Sequence, residues 1–152
     1  MYEDLIRKIE EFPHELEKIS SSLNDENLNV LIREGAWSIR QSINHLADSH
    51  INSFVRIKFA LSEDNPTIMP YNEEKWAEIS DTKNMDIEPS ILIIKGLHAR
   101  LVNILENIHY SDWERPLIHP DVGEMKLSEY VKVTAEHGSK HLQSIVKVLR
   151  LE

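Results

Sequence analysis

Two histidines near the C-terminus, His137 and His141, stand four residues apart. On a helix this spacing puts both imidazoles on one side, about one turn apart, as in the zinc-binding HExxH motif. The chain has 8 histidines in 152 residues, so one such pair by chance is unremarkable and the spacing alone is a weak signal. A third histidine, His45, strengthens it, because three neutral imidazoles with one open coordination position form a catalytic metal site.

His45 belongs to a polar face of a predicted helix. At about 100° per residue, Gln41, His45, Asp48 and Asn52 fall within an arc of roughly 60°, away from the apolar stripe of the same segment. Such a face is most often solvated surface, but this arc contains no Lys or Glu. We therefore predict that it forms the wall of a polar pocket. Asp48, Gln41 and Asn52 are candidates to orient His45 or a bound water.

Other polar residues of these segments have simpler explanations. His50 lies within the apolar stripe, so we expect a hydrogen-bonded core residue rather than a ligand. His98 is expected on the inner side of the following helix. The small residues Ser42, Ser49 and Ser53 line up in a strip that predicts the close approach of a neighbouring helix or a dimer contact.

Four segments with helical periodicity position these residues. The first covers about 3–23, where Pro13 is expected to break or kink the helix because it lacks an amide donor. The second covers about 38–63 and opens with Ser38 and Gln41, which fit a capping box. The third opens at Pro89 and ends near 109, and the fourth covers about 127–149.

These segments predict an all-α fold, an antiparallel four-helix bundle forming one domain over 1–152, because helices of ~20 residues bury their apolar stripes well side by side. The connection between the second and third helices is long, and residues 72–77 are expected to form a short helix within it. Two short segments flanking a turn at 120–123 predict a small β-hairpin before the last helix.

Composition excludes several classes of function. The chain has 17 Lys and Arg against 26 Asp and Glu, a net charge of −9, and no basic run, which argues against binding to nucleic acid. It has no cysteine, so a metal must be bound by His, Asp or Glu. With no signal peptide and no apolar run of about 18 residues, we expect a cytoplasmic protein with no membrane partner.

The segment from Glu34 to Gln41, followed by Asn44 to His50, resembles the signature of the DinB superfamily, and specifically its YfiT-like branch of metal-dependent hydrolases. Further matching pieces follow in order at 70–76, 88–90, 97–100, 119–124 and 137–141, so the resemblance covers the chain from about residue 9 onward. It implies a four-helix bundle, often a homodimer, that binds one divalent ion per chain, zinc or nickel. Carried onto this chain, the ligands are His45, His137 and His141.

Three functions remain open at this point. The first is a metal-dependent hydrolase acting on a small-molecule substrate, because an ion held by three imidazoles lowers the pKa of a bound water. The second is a transferase that joins a low-molecular-weight thiol, such as bacillithiol, to an electrophile; some relatives resemble such enzymes, and the absence of cysteine fits an external thiol. The third is a metal-binding bundle without catalysis.

Overall fold

The computed structural model describes residues 2–151. Its long helices are α1 (Tyr2–Ser20), α3 (Ile39–Ser62), α6 (Glu88–Asn107) and α7 (Leu127–Leu149). Between them lie three short helices, a 3-10 turn and two strands: α2 (Asp25–Leu28), α4 (Glu73–Ala77), α5 (Ser80–Lys83), the turn at Tyr110–Glu114, β1 (Pro116–His119) and β2 (Gly123–Lys126). The four-helix bundle, the short helix after Asn72 and the hairpin before the last helix are therefore confirmed.

The four long helices form a ring in which α1 and α3 each pack against both α6 and α7. Contacts from α3 show the helix directions. Ser42 meets His141 of α7, so α3 and α7 run antiparallel, as the later pair Ser53 and Tyr130 confirms. In contrast, α3 and α6 run parallel, because contacts advance together along both helices: Asn44 with Ser90, His50 with His98, and Phe54 with Arg100. Parallel neighbours require the chain to return along the bundle, which explains the long 63–87 connection.

Local signals fix the ends of the helices that carry the site. At the start of α3 the Ser38 hydroxyl accepts from the Gln41 amide at 3.1 Å, and the Gln41 side chain accepts from the Ser38 amide at 3.0 Å. This is the predicted capping box, and it satisfies two amides that the first helical turn leaves unpaired. At the start of α7 the Glu129 carboxylate accepts from the Lys126 amide. Both helices thus begin at defined residues.

Of the expected break or kink at Pro13, the break is wrong, because α1 is continuous from Tyr2 to Ser20. Proline lacks the amide that would pair with the carbonyl of Ile9, four residues earlier. In the structure that carbonyl accepts a hydrogen bond from His98 Nδ1 of α6 at 2.6 Å instead. A side chain from another helix therefore replaces the missing bond.

The hairpin ties the long connection to the last helix. Its strands pair antiparallel with Leu117 opposite Met125, and its turn ends at Gly123, whose φ of +93° favours glycine. The backbone of Ile118 bonds on one side to Pro66 and Ile68 of the connection, at 2.8 and 2.9 Å. The connection is thereby held at the end of the bundle where α3 ends and α7 begins.

The core fills the centre of the bundle in two neighbouring groups of apolar side chains. Ile57 and Val131 are fully buried in one group, and Leu46 and Ile94 are fully buried in the other. The ring of Phe12 also lies in the second group, where it stacks on His50 and packs at a tilt against His98. Within residues 2–151, no helix combines the length and the apolar character needed to cross a bilayer.

Candidate metal centre

Three histidines from two helices meet between α3 and α7. One nitrogen each of His45, His137 and His141 lies within 4.8 Å of the others. The four-residue spacing on α7 and the antiparallel packing of α3 bring the rings together, with centroid distances of 4.6 to 5.3 Å. Within the described chain, this is the group of His, Cys, Asp and Glu side chains whose geometry could hold a metal ion.

The spacing of the nitrogens suits a small divalent ion. The Nε2 atoms of His45 and His137 are 3.4 Å apart. Two imidazole nitrogens that bind one zinc ion at about 2.0–2.1 Å with a tetrahedral angle lie roughly 3.3 Å from each other. The donor set and its spacing therefore fit the ion that the sequence implies.

Two serine hydroxyls orient the histidines of α7. Ser42 Oγ lies 2.8 Å from His141 Nδ1, and Ser49 Oγ lies 3.1 Å from His137 Nδ1. We assign the proton to Nδ1 in both rings, because a hydroxyl at this atom then accepts it and Nε2 keeps a free lone pair. Ligating histidines are commonly fixed in this way through the nitrogen that does not bind the metal.

Burial keeps the three rings neutral. It lowers the pKa of His45 to about 3, with the charges of His141 and His137 adding to the effect. It lowers the pKa of His137 to about 4, with electrostatic repulsion from His141 and Lys140 adding to the effect, and it also lowers the pKa of His141. A neutral imidazole is the form that binds a metal, so the cluster is ready to bind near neutral pH.

Trp37 covers one side of the cluster. The centroid of its ring lies 4.6 Å from that of His45 and 6.5 Å from that of His141, on which it stacks. Its Nε1 donates a hydrogen bond to the Glu74 carboxylate at 3.1 Å. The turn before α3 places it, through Gly35 with a φ of +69°. Trp37 is not among the site residues predicted from the sequence; the signal for it is its position directly before Ser38, the cap of α3.

The candidates for orienting His45 form other contacts. Gln41 donates to the carbonyl of Ala77 at 2.9 Å, Asp48 accepts from the Thr82 hydroxyl at 2.9 Å, and Asn52 donates to the carbonyl of Asp48. These bonds fasten α4 and α5 against α3 or stay within α3. Burial raises the pKa of Asp48, partly offset by the Thr82 bond. Two serines of the strip that predicts a close helix approach or a dimer contact bond to the ligand rings, and a role of Gln41, Asp48 and Asn52 toward a bound water stays a prediction.

The spacing of Ser42 and Ser49 from His45 in the sequence indicates that these serines lie beside the site. Ser42 and Ser49 stand three residues before and four residues after His45, so all three lie on one face of α3. Their bonding partners on α7 could not be read from that face alone. They depend on the register between the two helices.

His50 is confirmed as a hydrogen-bonded core residue. His98 donates its Nδ1 proton to Ile9, so its Nε2 must accept, and His50 Nδ1 donates to it at 2.6 Å. The remaining Nε2 of His50 is buried and has no partner among the described residues. Burial lowers the pKa of both rings, so this pair is neutral and structural.

Two cavities flank the histidine cluster. One, of about 450 Å³, is lined by Trp37, Ser42 and His141. The other, of about 260 Å³, is lined by Ser49 and His137 together with side chains from the hairpin and the long connection. The cluster is therefore accessible from two directions.

Two facing helices of this four-helix bundle bring three neutral histidines to one point, with cavities beside them. This combination is typical of metal-binding bundle proteins. The chain belongs to the DinB superfamily, whose family model matches residues 8–145. This match includes the three histidines and nearly all of the bundle.

Relatives and a solved structure agree with this assignment. A protein of Bacillus cereus (strain G9842) named "Putative metal-dependent hydrolase" is 41% identical over 148 residues, covering 97% of this chain and 85% of the relative. A protein of Bacillus anthracis (strain A0248) with the same name gives the same values. The structure of YfiT from Bacillus subtilis, described as "a probable metal-dependent hydrolase with an unusual four-helix bundle topology", superposes with a TM-score of 0.95 at 32% identity, covering 98% of this chain and 86% of that one.

Proposed function

We propose that this protein is a metal-dependent hydrolase that acts on a small molecule at the three-histidine site. The observation that carries the proposal is the meeting of His45, His137 and His141, with nitrogens within 4.8 Å and an open side facing the cavities. The names of the relatives support the same class of reaction.

A bound divalent ion in such a site polarises a substrate oxygen and lowers the pKa of coordinated water. The chain supplies the surroundings for this chemistry. Ser42 and Ser49 hold the lone pairs of His141 and His137 toward a common point. Trp37 shields one side from bulk water, which strengthens electrostatic interactions inside the site.

We propose one zinc or nickel ion per chain. Neutral imidazole ligands suit both metals, and three of them leave a position for water or substrate. The absence of cysteine from the chain is consistent with an all-imidazole protein ligand set.

A thiol S-transferase on the same site is the second candidate, and the two cavities favour it. A transferase brings two substrates to one centre, and the larger cavity reaches the cluster beside His141 while the smaller one reaches it beside His137. Because the chain has no cysteine, the thiol would be a second small molecule.

One set of assays distinguishes these functions. Zinc-loaded and metal-free protein are tested on esters, amides and phosphoesters, and then on an electrophile with a low-molecular-weight thiol. We expect hydrolysis without thiol, lost on metal removal and in His137→Ala, and retained in His14→Ala, an exposed residue of α1. Product that requires thiol would instead support the transferase. Bound metal with no turnover on either panel would contradict both and leave a non-catalytic bundle.

A further inference from the structure

The smaller cavity contains a cation that no acidic side chain of residues 2–151 contacts as an ion pair. Arg56 of α3 lines it together with His137. Across the described residues, no carboxylate lies within the 4.0 Å of an ion pair with this guanidinium. An arginine is always charged at physiological pH, so its positive charge faces the cavity beside a metal ligand.

Neutral partners hold this guanidinium in place. Its Nη1 donates to the hydroxyl of Tyr130 at 3.1 Å, and its Nη2 donates to the carbonyl of Met69 at 2.6 Å. Tyr130 is itself 4% exposed and anchored in the core. The third nitrogen, Nε, is shielded from solvent and has no acceptor in the part of the chain that the structure describes. The arginine is therefore positioned but not fully satisfied.

A second donor beside it is also unpaired. The hydroxyl of Tyr71 is buried without a hydrogen-bond partner among residues 2–151, and the Arg56 guanidinium lies 5.8 Å from the centre of its ring. The Tyr71 ring packs against the ring of Trp76, with 4.6 Å between the ring centroids. Burial, together with the charges of Glu73 and Asp48, raises the pKa of Tyr71, so the hydroxyl keeps its proton and can donate it.

We propose that this cavity binds the carboxylate of a small-molecule substrate through Arg56 and Tyr71, while the reacting end of the same molecule lies at the three-histidine site. Buried donors without acceptors are rare in folded proteins, and the two in this cavity, Nε of the charged Arg56 and the hydroxyl of Tyr71, match the two oxygens of a carboxylate. The inference rests on the proposed function, because the metal site defines the other end of the ligand.

The distance along α3 between Arg56 and the histidine cluster sets the length of such a ligand. Ser49, which bonds to His137, precedes Arg56 by seven residues on α3, or about 10 Å of rise. Long helical side chains lean toward the N-terminus, so Arg56 reaches back toward the cluster and shortens that span. An extended chain of about six carbons between the two ends is the expected size.

One carboxylate of the protein also lines the cavity. Glu73 lies at the rim of the cavity and is exposed. Solvent and salt therefore screen the charge of Glu73 more than they screen the charges inside the cavity. A divalent ion on three neutral histidines adds further positive charge on the inner side. Anion selection is therefore expected from the cavity itself, although the net charge of the chain is −9.

The test measures binding with probes that anchor on the metal. Cobalt-substituted wild type is titrated with mercaptohexanoic acid and with mercaptohexanol, and the thiolate-to-cobalt absorption gives each Kd. The two probes differ only in the end that would reach Arg56. We expect the acid to bind about tenfold more tightly than the alcohol, as for one charge-assisted hydrogen-bonded contact.

Variants identify the residues responsible. Arg56→Gln should abolish the preference for the acid, and Tyr71→Phe should reduce it about threefold, the smaller loss expected for a neutral donor. Lys58→Gln removes the same charge from an exposed position on α3 and should leave it intact. If Arg56→Gln fails to fold, Tyr71→Phe carries the test, because the Tyr71 hydroxyl bonds to none of the residues that the structure describes.

Three results would overturn the inference. Equal affinity of the two probes in wild type, or an unchanged preference in the Arg56 or Tyr71 variants, would do so while leaving the metal site intact. If cobalt without thiol gives no ligand-field absorption in wild type, the proposed metal function fails and this inference fails with it.

Discussion

At the scale of single residues, the site depends on hydroxyl groups as well as on the ligands. Ser42 and Ser49 fix which nitrogen of His141 and His137 remains free. A ring that rotates or changes tautomer loses its lone pair from the common point, although its position in the sequence is unchanged.

Replacing these serines should weaken metal binding without unfolding the protein. We expect Ser42→Ala and Ser49→Ala to lose about 10–100-fold in zinc affinity, as is typical when a partner of a ligating histidine is removed. Ser53→Ala is the matched control, since Ser53 is buried on the same helix and approaches Tyr130 rather than a histidine. Competition with a chelating dye measures the affinities; equal values in all variants would refute the role of the hydroxyls.

The lowered pKa values predict that the metal-free protein is sensitive to acid. Unfolded histidines protonate near 6.5, whereas burial holds the pKa of His45 at about 3 and that of His137 at about 4. Between these values the unfolded chain binds more protons, so stability is full above pH 6.5 and falls as the pH drops toward 4. Urea unfolding at several pH values should show this slope, and His45→Gln should make it shallower. A free energy of unfolding that stays constant from pH 7 to 4.5 would contradict it.

At the scale of elements, packing between helices determines what the sequence could and could not predict. The periodicity, the Ser38–Gln41 capping box and the hairpin turn are local signals, so α3, α7 and the strands lie close to their predicted bounds. The continuity of α1 through Pro13 could not be predicted, because the group that compensates for the missing amide, His98, comes from another helix. The contacts of Gln41 and Asp48 could not be predicted because they depend on where α4 and α5 fold back.

Gly138 shows the same dependence on packing between helices. It lies between the two ligands of α7, and a Cβ at this position would collide with the Phe12 ring of α1. This close approach lets α1 pack directly against α7, the helix that carries His137 and His141. Nothing in the local sequence of α7 indicates which side chain requires the space.

A double-mutant cycle tests whether His98 replaces the hydrogen bond to the Ile9 carbonyl that Pro13 cannot make. His98→Leu leaves the Ile9 carbonyl and the His50 Nδ1 proton without partners, and we expect a loss of about 2–4 kcal/mol in stability. Pro13→Ala restores an amide that can pair with Ile9 within α1. The double variant should therefore be about 1 kcal/mol more stable than the sum of the single effects. Strict additivity in urea unfolding would show that Pro13 and His98 do not share this carbonyl.

At the scale of the whole molecule, an acidic chain surrounds a site that becomes positive once a divalent ion is bound. The bundle holds this site in its interior between α3 and α7, while the long connection and the hairpin form the walls of the smaller cavity. Under the proposed function, variation in the connection and hairpin would change the substrate without moving the histidines, since loops tolerate change better than packed helices.

The homodimer expected from the family resemblance stays a prediction. An exposed apolar row on α3, formed by Ile51, Val55 and Phe59, is the kind of surface that another chain commonly covers. Light scattering coupled to size-exclusion chromatography should give twice the monomer mass of 17.7 kDa. A mass of one chain at micromolar concentration would contradict the dimer and leave the metal site unaffected.

The most direct test of the metal site is the metal content of the purified protein, measured by plasma mass spectrometry on wild type and three variants. We predict about one zinc or nickel ion per chain in wild type and in His14→Ala, because His14 lies exposed on α1. His45→Ala and His137→Ala should lose the ion while keeping the helical circular dichroism of wild type. If both variants retain the wild-type stoichiometry, these histidines do not hold the ion and the account of the site is wrong.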